Sequence, residues 1–139
     1  MTQEDRELLI KDLCARLPYG VKFACNKNVY TATGLDLIVT DEGDWGYAVT
    51  AKGIAPIEID FIKPYLFPMS SMTEEQIEEY RKACELDTEI LAKHPMDETP
   101  FPALYNSQDW LNKNGFDYRG LIPMGLAIDA TGLEIYGNR

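Results

Sequence analysis

Between Val21 and Phe61 the chain runs through five short stretches rich in β-branched and aromatic residues, 21–25, 29–33, 35–40, 45–50 and 54–61. They are separated by Asn26-Lys27-Asn28, Gly34, Asp41-Glu42-Gly43-Asp44 and Ala51-Lys52-Gly53, residues that tolerate positive φ or build Asx turns. Connections this short join only antiparallel neighbours, because a parallel pair needs a crossover of a dozen or more residues. This part of the chain is therefore committed to a four- or five-stranded antiparallel meander. Gly34 marks a bulge or sharp bend that curls the sheet, and an SH3-like barrel is the form such a sheet takes if it closes.

Helices flank the meander. Leu9, Leu13 and Leu17, with Ile10 and Cys14 alongside, make one apolar stripe over residues 2–17. Thr2 and Asp5 cap its start, and Pro18-Tyr19-Gly20 stops it. After an extended segment, 61–69, that carries Pro64 and Pro68, Thr73-Glu74-Glu75-Gln76 is a capping box, with Met72 and Ile77 at the hydrophobic-staple positions. A long acidic helix over 73–93 follows. Its apolar stripe is Ile77, Tyr80, Cys84 and Leu91, flanked by Ala83 and Ile90, and its other side is covered by Glu74, Glu75, Glu78, Glu79, Arg81, Lys82, Glu85 and Glu89. His94, before Pro95, complements the dipole at the helix end, and the proline-rich stretch 95–102 reads as a loop. Residues 105–139 form a compact segment packed back on the rest. In it Asn106 or Ser107 caps a short helix through Trp110 and Leu111, Tyr118 to Met124 offers a second helical turn, and 126–128 and 133–136 offer brief strands. The expectation is one α+β domain of 139 residues.

Charge and cysteine content exclude several classes. Thirteen Lys plus Arg against 23 Asp plus Glu give a formal charge of -10, which opposes direct nucleic-acid binding by phosphate neutralisation and opposes anionic membranes. The opening Met1-Thr2-Gln3-Glu4-Asp5-Arg6-Glu7 is acidic where a signal peptide begins with a basic segment. The longest apolar uncharged stretch, 120–128, falls short of a bilayer span. Three cysteines, Cys14, Cys25 and Cys84, with no C-x-x-C pair, fit a reducing cytoplasm and read as small buried hydrophobes.

The familiar catalytic arrangements are not written in the chain. A single histidine restricts any Ser-His-Asp or Cys-His triad to His94, and Cys and His have no zinc spacing. The turn 41–44 lacks the register of a calcium loop, and the glycines match neither phosphate-loop nor dinucleotide patterns. No catalytic, cofactor-binding or metal-ligating residue is singled out, and no cofactor is implied. Carboxylates at Asp36, Asp41, Asp44, Glu58 and Asp60 leave room for acid/base chemistry without marking a pair. The densest stretch is Asp109-Trp110-Leu111-Asn112 and Phe116-Asp117-Tyr118-Arg119-Gly120-Leu121-Ile122. Exposed, its Trp110, Phe116, Tyr118 and Arg119 form a surface for a protein partner. Buried, the rings belong to the core and Arg119 pairs Asp117 or Asp109.

These residues carry a resemblance. Lys63-Pro64-Tyr65-Leu66-Phe67-Pro68-Met69-Ser70-Ser71-Met72-Thr73, Trp110-Leu111-Asn112, the run from Phe116 to Ile122 and Gly125-Leu126-Ala127 resemble a family of short uncharacterised proteins encoded in prophages and mobile elements of gut bacteria. The resemblance extends along most of the chain, more weakly in the middle strands, and brings no site residues with it. It implies a cytoplasmic accessory protein of a mobile element. Three functions compete on the residues alone. The first is a non-enzymatic protein–protein interaction module. The second is an acidic nucleic-acid mimic, with the acid-rich helix as its active face, that inhibits a DNA-binding protein or nuclease. The third is a carboxylate- or metal-assisted enzyme. Nothing in the pattern specifies an oligomeric state.

Overall fold

A computed structural model describes residues 1–93 and 106–136. His94 and the loop 95–102 lie outside the described residues, as does the Leu91 side chain.

The first helix, α1 (Gln3–Arg16), starts at the expected place. Thr2 Oγ1 accepts from the Asp5 backbone N–H at 3.0 Å and the Asp5 carboxylate accepts from the Thr2 N–H at 3.3 Å. Both orphan donors of the first turn are thereby satisfied. Leu9 and Leu13 are fully buried against the sheet. Cys14 departs from expectation and is exposed, because the buried stripe centres on Leu9 and Leu13 and leaves the next position on the helix flank; Cys25 and Cys84 are half-buried.

The meander follows as β1 (Lys22–Cys25), β2 (Asn28–Val39), β3 (Trp45–Ala51) and β4 (Ile57–Glu58), each antiparallel to the last. Asn26 and Lys27 both take positive φ, the geometry of a tight hairpin turn. The two runs separated by Gly34 are one long strand whose register shifts between Ala32 and Gly34, so the glycine is a bulge and not a break. Most of the fifth run forms no strand: β4 is two residues long and residues 59–61 turn into a single 3₁₀ turn.

The extended segment becomes β5 (Lys63–Pro68), which pairs antiparallel with β1. Its prolines lack the N–H that a continuous ladder needs, and each of its partnerships is two residues long. The helices α2 (Glu74–Lys93) and α3 (Asn106–Asn114) then carry the chain back, so β6 (Phe116–Asp117) and β7 (Ile128–Asp129) lie parallel to β5. The strand order is β4-β3-β2-β1-β5-β6, with β7 also on β5. The sheet does not close into an SH3-like barrel: β5 leaves β4 for the far side of β1, so β4 and β6 remain edges. The architecture is α+β, with the C-terminal strands joining the main sheet. The core gathers Leu9 and Leu13 of α1, Phe23 of β1, Val49 of β3, Ile62, Leu66 of β5 and Leu121.

Two C-terminal expectations give way. Residues 118–124 form no helix: 118–120 are irregular with Gly120 at positive φ, 121–124 are turn, and buried Asp117 accepts the Leu121 and Ile122 N–H groups, both at 2.9 Å. Residues 133–136 are also turn and not strand. There Tyr136 works through its hydroxyl, which accepts the Lys22 N–H and donates to the Tyr65 carbonyl, both at 2.8 Å.

Candidate functional site

The aromatic segment is brought together, but facing inward. Phe116 is fully buried on β6 and does not belong to any surface. Trp110, half-buried on α3, stacks on Phe116 with ring centroids 5.6 Å apart and planes at 7°, and meets Tyr80 of α2 at 5.7 Å. Its Nε1–H donates to Glu79 at 3.3 Å. The Tyr118 hydroxyl donates to Asn112 at 2.9 Å, and the guanidiniums of Arg119 and Arg16 lie over its ring at 4.5 and 5.4 Å. Arg119 pairs neither Asp117 nor Asp109. It donates to Asp12 of α1 at 2.8 Å, and fully buried Asp12 also accepts from Arg16 Nε at 2.9 Å. Arg16 in turn donates through Nη2 to the Phe116 carbonyl. Arg119, Asp12 and Arg16 are thus a clasp locking α1 to the C-terminal segment. The partner that completes it, Asp12, lies on a polar-looking flank of α1 and carries no local signal.

The long acidic helix also spends part of its charge internally. Arg81 is held by both Glu78 and Glu85, and that contact with Arg81 lowers the Glu78 pKa. Asp87 is buried and caps α3 from outside, accepting from the backbone N–H and side chains of Asn106 and Ser107 at 2.6–3.0 Å. Asp87 thereby adds acceptors at the start of α3, where the sequence pattern looks to Asn106 or Ser107.

The open surface lies elsewhere. Cross-strand partners in β2 and β3 share a face, and the pairs Leu35↔Val49, Leu37↔Tyr47 and Val39↔Trp45 succeed one another along it. Val49 is fully buried and Leu35 packs on the core. Towards the hairpin tip the same apolar face leaves the core: Tyr47, Leu37 and Val39 are exposed, and Trp45 is 72% exposed. Phe61, on the 3₁₀ turn after β4, is 66% exposed.

Between this arm, the N-terminal half of α1 and the 59–61 turn lies a cleft of about 780 Å³, walled by Trp45, Tyr47, Phe61 and Ile10. A neighbouring concavity of about 420 Å³ shares Asp41, Glu58 and Phe61 with it. Six carboxylates line the cleft, Glu7, Asp41, Glu42, Asp44, Glu58 and Asp60, against two cations, Arg6 and Lys11. Arg6 is already engaged, gripping Asp60 through two hydrogen bonds of 2.8 and 2.9 Å. The hydrogen bond from Arg6 is the main cause that holds the Asp60 carboxyl below its usual range, and Asp60 with Glu42 raises Arg6. The groove is anionic and aromatic.

Its backbone is also unfinished. β4 pairs β3 only at Ala48 and Val49, so along Trp45–Tyr47 the outer edge of β3 has no strand partner among the described residues. Among those residues no group of three or more His, Cys, Asp or Glu is placed to hold a metal ion, and no helix is long and apolar enough to cross a membrane. Comparison with protein-family models, curated proteins and solved structures finds no match to the chain.

Proposed function

We propose that the protein is a non-enzymatic interaction module that binds another protein through the β2–β3 arm and the groove beside it, in the mobile-element setting its sequence resembles. One observation carries the reading: the face formed by Leu37, Val39, Trp45 and Tyr47 continues the buried face of the sheet into solvent, with Phe61 exposed beside it. Scattered single apolar residues are normal on a surface, whereas a contiguous aromatic patch with a polar rim marks a place where another molecule excludes water. The surface is distinct from the one around Trp110, Phe116, Tyr118 and Arg119, which the clasp occupies.

The test is an unbiased peptide-display selection on the immobilised protein, repeated on a Trp45→Ser/Tyr47→Ser variant whose circular dichroism matches the parent. Enrichment of a consensus on the parent that disappears on the variant supports the reading. No enrichment, or a consensus that survives the double substitution, refutes it.

A further inference from the structure

We infer that the occupant of the groove is an extended, Lys- or Arg-bearing segment of a partner protein, added as a strand to the free edge of β3 at Trp45–Tyr47. The inference rests on the proposed interaction role and names the partner's chemistry. Three observations converge on it. The cleft adjoins a second concavity, near Asn28 and Tyr30, across Asp41, Glu58 and Phe61, and the two side by side leave room for an extended chain. Its charge is strongly one-sided, and of its two cations Arg6 is committed to Asp60, so cationic side chains are the complement that steers a partner in and excludes anionic ones. Exposed Trp45 and Tyr47 offer ring faces for the same cations.

The edge supplies the backbone half of the recognition. β4 ends opposite Ala48, where the chain turns into the 59–61 helical turn, and the N–H and C=O groups on the outer side of Trp45–Tyr47 stay available. A strand laid there continues the sheet by β-augmentation, with affinity from main-chain hydrogen bonds and selectivity from alternate side chains. Every second residue of that strand faces the cleft, so a partner alternating basic and apolar residues places its cations along one side, towards Asp41, Glu42, Asp44 and Glu58. Nucleic acid and anionic lipid are excluded by the same charges that favour this segment.

The chain has two tryptophans, so a Trp110→Phe variant leaves Trp45 as the only indole and its emission reports the groove directly. This variant is titrated with an eight-residue peptide alternating Lys and Val, with the Glu-Val and Ser-Val counterparts, and with the Lys-Val peptide N-methylated at every amide. The expected result is a saturable Trp45 shift with the Lys-Val peptide. Each exposed ion pair contributes about a two- to fivefold change, so binding should be roughly tenfold weaker for the Ser-Val peptide, for an Asp41→Asn/Glu42→Gln/Asp44→Asn protein and at high salt. The N-methylated peptide, which cannot pair with a strand edge, should lose most of its affinity. Equal binding of the Glu-Val or Ser-Val peptide overturns the charge assignment, and equal binding of the N-methylated peptide overturns strand addition. A display consensus that needs Trp45 yet is uncharged also sinks this inference while leaving the interaction role standing; an empty selection sinks both.

Discussion

The clasp between α1 and the C-terminal segment gives a stability prediction whose size follows from its geometry. Asp12 is fully buried and accepts from Arg16 on one oxygen and from Arg119 on the other, at 2.9 and 2.8 Å. Asp12→Asn keeps the shape, removes the charge, and turns an amide N–H₂ towards a guanidinium that can only donate. Among the described residues Arg16 Nη1 is already buried without an acceptor, so the clasp is short of acceptors before the change. Removing one member of a buried ion pair costs about 3–5 kcal/mol, a large fraction of the roughly 5–15 kcal/mol that separates folded from unfolded chains. For a chain of 139 residues that corresponds to a fall in Tm of about 10 °C or more. Urea denaturation at pH 7, followed by far-ultraviolet circular dichroism, should show the midpoint falling by about 2 M with an unchanged slope. Adding Arg119→Gln should return part of the loss, because the Arg119 side chain keeps 12% of its surface in solvent and its removal relieves the surplus of positive charge. A coupling of about 1–3 kcal/mol is expected from the cycle. A loss below about 1 kcal/mol for Asp12→Asn, or strict additivity in the double variant, refutes the claim that the three charges act as a unit.

Other consequences are equally specific. Burial alone would push the Asp87 carboxyl up, but the hydrogen bonds from Ser107 and Asn106 outweigh it and its pKa is lowered; its stabilisation is therefore complete above the unfolded value near ~4 and lost as pH falls through the folded one. Asp87→Ala should cost about 2–3 kcal/mol at neutral pH, and the difference from the parent in urea titrations should shrink below about pH 4. Trp110→Ala removes the rings' stack between α2 and β6 and should cost about 3 kcal/mol, against about 1 kcal/mol for Trp110→Phe, with proteolysis of α2 accelerated only in the alanine variant. A Cβ at Gly46 would stand 2.8 Å from Thr40 Cγ2, so Gly46→Ala should destabilise by about 1 kcal/mol in thermal melts, and Thr40→Ser, which deletes that methyl, should restore it.

Local rules made much of the fold legible. Both capping boxes are where Thr2 and Thr73 place them, and Thr73 with Gln76 exchanges hydrogen bonds of 2.9 and 3.2 Å. Short turns forced the antiparallel meander, and Gly34 announced the bulge. The illegible part is tertiary. β5 reads as a proline-broken strap because Pro64 and Pro68 forbid a continuous ladder, yet three brief partnerships hold it in the sheet. The pattern over 118–124 reads as helical, whereas Gly120 takes a positive φ and the Asp117 side chain takes two N–H groups that a helix would have used.

The candidate site lies away from the aromatic segment for a physical reason. Aromatic density around Trp110 and Tyr118 marks hot spots and cores alike, and what separates them is whether the adjacent cation finds a buried counter-charge; Arg119 finds Asp12, 107 positions away. The arm presents the opposite case. Leu35, Leu37 and Val39 facing Val49, Tyr47 and Trp45 make an apolar alternation that, residue by residue, predicts a buried strand face. Burial follows only where the face joins the core that Val49 shares with Leu9 and Leu13 of α1, while Gln3, Arg6 and Glu7 border an open cleft. The same pattern is therefore core at one end of the hairpin and surface at the other. On the proposed reading, a partner supplies the layer that this strand face lacks, and the carboxylates on the rim set the charge proposed for it.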